Sequence, residues 1–177
     1  VPWGIPGLGL NGMAHRAGLL TLTVDPDSPD RDRSLAEGLL RRIVAHEVHH
    51  CMRVRAGAGG RPTLGAAMVS EGLADHFVVE VFGPPPPPWT APFGDAEWAT
   101  IREMAPAARD DPGVNQAHWL FARGDRILPK WTGYRLGFAL VGAYLAAHPH
   151  ARPSALAGAP AGSILDEAWP RLFPAPE

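Results

Sequence analysis

Only one cysteine, Cys51, occurs among the 177 residues. No internal disulfide can form, and cysteine leaves the redox compartment open. Lysine is equally scarce, because fifteen of the sixteen basic residues are Arg. Together with the high Ala, Gly and Pro content, that reads as genome composition rather than function. An excess of charge of one sign is also missing. A formal net charge of −2 leaves no basic footprint, which argues against nucleic acid as a partner. No run approaches the ~18 apolar residues that a membrane span requires, and no internal repeat is visible. No charged segment followed by an apolar one marks a secretory leader. The sequence starts at Val1, so a trimmed start is an open reading. Localisation reads as cytoplasmic, with secretion as the alternative. Against these absences stands ample core material. Hydrophobic residues make up 46% of the chain, which suits one domain over 1–177.

Gly and Pro crowd the stretch from Val1 to Met13, which reads as loop, and the residues from Ala17 to Val24 favour a strand. A polar turn region follows, from Asp25 to Arg33. Ser34-Leu-Ala-Glu37 has the form of a capping box and predicts a helix start there. Leu39, Leu40, Ile43, Val44, Val48 and Met52 continue that helix with helical spacing up to Gly57. A second helix is predicted from about Thr63 to Phe82, with Pro62 in its first turn and Gly83 stopping it. Pro84 to Pro88 force an extended, stiff segment, read as a spacer in preference to a ligand for a proline-reading module. A third helix runs from a cap at Asp95 to Met104, a fourth from Trp131 to Ala147, and a short one from Ser163 to Trp169.

His46-Glu-Val-His-His50 falls on the first of these helices and matches H-E-x-x-H. Residues four apart lie on one helical face, so His46 and His50 can present imidazole nitrogens to one ion. With eight His in the chain, an accidental match is expected roughly once in 60 such sequences. Glu47 lies ~100° around the helix, beside an ion held by the two histidines. From there its carboxylate can take a proton from a water whose pKa zinc lowers to about 7. His49 also approaches that face, and reads as a packed or supporting histidine. A catalytic zinc needs a third protein ligand. Ser70-Glu-Gly-Leu-Ala-Asp75, on the next helix, offers Glu71 as that ligand. Asp75, one turn on, can accept the N–H of a ligand imidazole. The bland alternative is an exposed pair of helical acids.

These residues resemble a known pattern. His46-Glu-Val-His-His50 followed by Glu71-Gly-Leu-Ala-Asp75 is similar to the gluzincin signature. It resembles most a bacterial family of predicted zinc-dependent proteases of unknown function, with Trp131-Thr-Gly-Tyr-Arg-Leu-Gly137 as a softer mark. The resemblance implies an α+β zincin-like fold. A small sheet near the N-terminus would pack on the H-E-x-x-H helix, and its edge would receive peptide. The second half would be mainly helical and carry Glu71. The resemblance also implies a Zn²⁺-dependent peptide-bond hydrolase acting on peptide or protein, with Glu47 as general base. Such enzymes use a Tyr or a His to support the oxyanion, which nominates Tyr134 and, as competitor, His118.

Three other functions fit the same residues. One is a latent peptidase whose segment 1–13 fills its own cleft. Another is a non-catalytic zinc-binding interaction domain with a closed metal site. The third is an interaction domain that uses Pro84 to Pro88. Arg135 reads as an ion-pair partner before a substrate carboxylate ligand. Cys51 reads as a small buried hydrophobe, and His76 as a surface or supporting residue. His148 and His150 sit past a helix end, where a cation suits the dipole. Trp89, Trp98, Trp119, Trp131 and Trp169 read as core or cleft wall.

Overall fold

Two strands, β1 (Leu10–Arg16) and β2 (Leu19–Val24), pair antiparallel, with Leu10 opposite Val24 and Gly12 opposite Leu22. Gly18 turns the hairpin at φ 78°, a left-handed value that glycine adopts without strain. This computed structural model describes residue 5, residues 7–121 and residues 127–174, and among these the hairpin is the whole sheet. The loop expected over 1–13 therefore gives way to a strand at Leu10, and the strand expected from Ala17 begins at Leu19. Residues 1–4 and 6 of that stretch lie outside the described residues. Leu-Asn-Gly-Met-Ala-His-Arg has little intrinsic strand preference. Its conformation comes from β2 on one side and a helix below, against which Leu10 is fully buried.

The helix predicted from Ser34 is two helices. A short α1 (Arg31–Ala36) contains Ser34 in its interior, buried, and no side chain caps it. Gly38, at φ 70°, breaks the path, and α2 (Leu39–Arg55) begins after it. Serine at a capping-box spacing is therefore a false start signal, because a glycine two residues beyond its helix resets the backbone. Helix α2 carries the H-E-x-x-H residues, and its apolar face meets β1 through Leu39 and Ile43.

Helix α3 (Leu64–Phe82) starts one residue late. Thr63 is its N-cap and accepts a hydrogen bond from the Ala66 N–H at 3.2 Å, so Pro62 precedes the helix. Its middle is buried on every side, as expected of a helix apolar all round. One side faces α2. The other crosses α6 (Thr132–Ala147) through glycines: a Cβ on Gly72 would fall 2.1 Å from the Gly137 carbonyl oxygen. The main core joins Leu64, Met68 and Leu73 of α3 to Leu136 and Leu140 of α6, with Ile164 from α7 (Ala161–Leu172). A second cluster, containing Leu8, Leu10, Ile43 and Trp89, fills the space between hairpin and α2. The fold is α+β, with a mainly helical C-terminal half.

The remaining differences from the predicted helices are local. Helix α4 (Asp95–Ala108) is capped by Gly94, whose N–H bonds the Glu97 side chain at 2.9 Å, and it runs past Met104 through Pro106. Proline there has no N–H to give the Arg102 carbonyl, so one bond of the ladder is missing in the last turns of α4. Helix α5 (Gln116–Phe121) is not among the predicted helices, and α7 is longer at both ends than the predicted 163–169. Trp131 is the cap of α6 rather than its first residue. No helix among the described residues is long and apolar enough to cross a membrane.

Candidate metal centre

Helical geometry sets the first two donors. His46 and His50, four apart on α2, bring their Nε2 atoms to 3.0 Å of each other. Glu71 arrives from α3, which packs alongside α2. Its Oε2 lies 3.0 Å from His46 Nε2 and 3.3 Å from His50 Nε2. Bonds of ~2.0–2.1 Å to a tetrahedral zinc place its donors about 3.3–3.4 Å apart. The triangle formed by these three atoms is close to that size, and these residues form a group that could hold a metal ion. Two imidazoles and a carboxylate are also the donor types that zinc takes. The residues present fit the ion.

Each imidazole is oriented from behind. His46 Nδ1–H donates to Asp75 Oδ1 at 2.8 Å, and His50 Nδ1 lies 3.3 Å from the Ser70 hydroxyl. Holding the Nδ1 side directs both Nε2 atoms at one point, where an ion would take the place of a proton. Asp75 is fully buried, and the Trp89 indole N–H donates to the same Oδ1 at 2.9 Å. Trp89 is delivered by the proline run, which ends in a 3-10 turn over Pro88–Thr90 and is tied to α2 where Arg42 donates to the Pro85 carbonyl. Sequence spacing does not single out Ser70 or Trp89 for these contacts, since no rule of periodicity links them to the histidines.

The buried charges polarise one another. Burial pulls the His46 imidazole down, yet Asp75 and Glu71 outweigh it and hold its pKa well above the usual value. Burial pushes Glu71 up, but His50 and His46 overcome it, and its pKa lies well below the carboxylate range. Asp75 is raised, since burial exceeds the help from His46. Burial, with the Glu71, Asp75 and Glu47 charges behind it, raises the Tyr134 phenol well above its ordinary value. It stays a protonated donor.

Glu47 is buried, and its Oε2 accepts the Ala14 N–H of β1 at 2.7 Å. The strand can come this close because residue 12 is glycine. A Cβ there would lie 2.6 Å from Glu47 Cγ and 2.7 Å from Ile43 Cγ2. An Ala14 N–H turned from β2 implies that Gly12, two residues away, also points its N–H and C=O off the sheet. Gly12, Asn11, His46, Glu47 and Tyr134 line one narrow cleft, with Ile5, Leu8, Trp89, Phe121 and Trp131 as its apolar walls.

His118 is placed elsewhere. It sits on α5 and is not among the residues lining the cleft, to which that helix contributes Phe121. His49 is fully buried, with its Nε2 3.1 Å from the Pro153 carbonyl, and burial drives its pKa to about 3. His76 is drawn inward, stacked on Phe138 and bonded to the Phe138 carbonyl at 2.9 Å. His148 pairs with Glu167 at 2.7 Å. Arg135 forms a two-pronged ion pair with Glu97, at 2.6 and 2.9 Å. Cys51 is buried against the Leu19 carbonyl.

Residues 6–166 match the model of a protein family described as predicted Zn-dependent protease (DUF2268). The chain belongs to this family. No curated protein and no solved structure matches it. The family description and the His46, His50 and Glu71 cluster agree on a metal site. The matched span includes the hairpin, both halves of the metal cluster and Tyr134.

Proposed function

We propose that the chain is a zinc-dependent peptide-bond hydrolase, one zincin-like domain over 1–177, with His46, His50 and Glu71 as metal ligands and Glu47 as general base. The observation that carries this reading is the meeting of three donor atoms of zinc type, with a carboxylate from the same helix lining the cleft beside them. When bound, zinc supplies Lewis acidity at that point, acidifying a water and polarising a carbonyl.

The chain's own residues do the rest. A peptide laid along the free edge of β1 meets the Gly12 N–H and C=O, as strand addition requires. Ala14 holds Oε2 of Glu47, which fixes the carboxylate beside the cleft. Glu47 takes the water proton there and returns it to the departing amine. The Tyr134 hydroxyl donates to the carbonyl oxygen as charge builds on it. Tyr134 is preferred to His118 for this part because it lines the cleft with His46 and Glu47. Asp75 keeps His46 aimed, and the aromatic walls suit an apolar substrate side chain.

The test pairs zinc content with cleavage of a quenched fluorogenic peptide library. Glu47→Gln is expected to retain one zinc per chain while turnover falls by about 10²–10⁴ or more. Wild-type rates from that variant remove Glu47 from the mechanism, and a wild type that binds no zinc removes the mechanism altogether.

A further inference from the structure

Both oxygens of Glu71 are occupied, each by a different neighbour. Oε2 faces the two imidazoles, while Oε1 receives Nη1 of Arg61. We propose that Arg61 is a positioning residue that confines Glu71 to one-oxygen ligation and so keeps a coordination position free for water and substrate. The inference rests on the zinc-hydrolase reading above. A carboxylate beside a divalent cation can offer one oxygen or two. A catalytic zinc takes three protein ligands and leaves one position open, and a Glu71 that offered both oxygens would fill it. The guanidinium prevents this by holding Oε1, and it stays charged at every working pH.

The fold builds Arg61 into this place. The loop leaving α2 is pinned where the Ala58 N–H donates to the Arg53 carbonyl and the buried Arg53 guanidinium donates back to the Ala58 carbonyl, both at 2.9 Å. Gly59 then lies so close to α2 that a Cβ would fall 2.6 Å from Val54 Cγ2. The Gln116 side-chain amide holds the Arg61 carbonyl at 3.1 Å, and Thr63 caps α3 two residues later. With its backbone fixed on both sides, the arginine reaches inward. Its side chain is 44% exposed while the Glu71 side chain is 3% exposed. Arg61 therefore offsets the burial of the Glu71 charge as well as fixing where Oε1 sits.

The experiment compares wild type, Arg61→Ala and Arg61→Lys as full chains, each checked for native circular dichroism. Cobalt(II) loading is read by visible absorption, because four-coordinate cobalt absorbs strongly and higher coordination weakly. Zinc loading is read by X-ray absorption. Wild type is expected to show the strong, four-coordinate band. Arg61→Ala is expected to lose most of that intensity and to gain one oxygen in the zinc shell, as Glu71 turns both oxygens to the metal. Arg61→Lys is expected to restore the wild-type spectrum, since the contact is a single nitrogen on a single oxygen. An Arg61→Ala protein that keeps the four-coordinate band overturns the proposal and leaves the zinc site standing. A wild type that takes up no metal overturns the site itself, and the proposal with it.

Discussion

Replacing Asp75 with asparagine removes a charge while leaving the shape of the site intact. Oδ1 of Asp75 accepts from both His46 Nδ1, at 2.8 Å, and Trp89 Nε1, at 2.9 Å. Asparagine can keep those two bonds through its carbonyl oxygen. Its amide group must then take the place of Oδ2, a buried atom that has no hydrogen-bond partner. The variant thus loses the negative charge that makes His46 a stronger donor, and it buries two N–H groups without acceptors. Changes of this kind behind a metal-ligating histidine typically cost 10–100-fold in metal affinity, which is about 1.4–2.7 kcal/mol. Asp75→Asn is expected at the upper end of that range, because Asp75 is fully buried, out of reach of bulk solvent. Trp89→Phe keeps most of the ring packing and removes one of the two donors, so it is expected at the lower end. Zinc affinity measured by chelator competition checks both. If Asp75→Asn binds zinc within about threefold of wild type, the orienting role given to Asp75 is wrong, since losing a partner that orients a ligand imidazole costs about tenfold at the least.

Three further outcomes are expected. Gly72→Ala should destabilise the fold by about 3 kcal/mol in urea unfolding, because its Cβ would meet backbone of Gly137, which cannot turn aside as a side chain can; a loss below about 1 kcal/mol refutes the close α3–α6 contact. Gly12→Ala should push β1 off Glu47 and break the Ala14 bond, lowering turnover while zinc content stays at the wild-type level; loss of zinc in parallel points to a wider collapse instead. The His49 imidazole, held near a pKa of about 3, binds fewer protons folded than unfolded. Its contribution is therefore complete above pH ~6.5 and lost as pH falls toward the folded value. The stability gap between wild type and His49→Gln should shrink by up to about 1.4 kcal/mol per unit below that pH, and a gap that stays constant removes the argument.

Much of the metal cluster is legible in the sequence because a helix turns position into direction. Four residues apart means one face, and that rule alone aligns His46 with His50 and Glu71 with Asp75. It requires no knowledge of how α2 and α3 approach. The residues that hold the cluster in place are hidden for the same reason. Ala14 acts through its backbone, so its side chain carries no signal. Arg61 and Trp89 reach the site from loops whose course is set by packing. The strand β1 is masked by its own composition, and α5 by its brevity. A signal does exist for Gly12, a glycine between an asparagine and a methionine in a segment otherwise able to pair, but its meaning depends on the helix beneath it. The capping-box reading of Ser34 shows the opposite failure, in which a good local motif is overruled by the glycine at 38.

Helix α3 explains why a site built from so few residues can be firm. Glu71 and Asp75 face α2, while Gly72, one residue from the ligand, locks against α6. A metal ligand on an exposed helix would need its rotamer fixed by partners alone. Here the backbone that carries Glu71 is wedged between two helices, and both carboxylate oxygens are engaged. The cost is a helix with buried acids in its middle, tolerable only because each has a cationic or N–H partner at hand. Stability and function are therefore tied to the same turn of α3. Changes at Gly72 should disturb zinc binding through the position of Glu71, whereas changes in the more distant part of the core, around Ile164 and α7, should reduce stability without that specific effect.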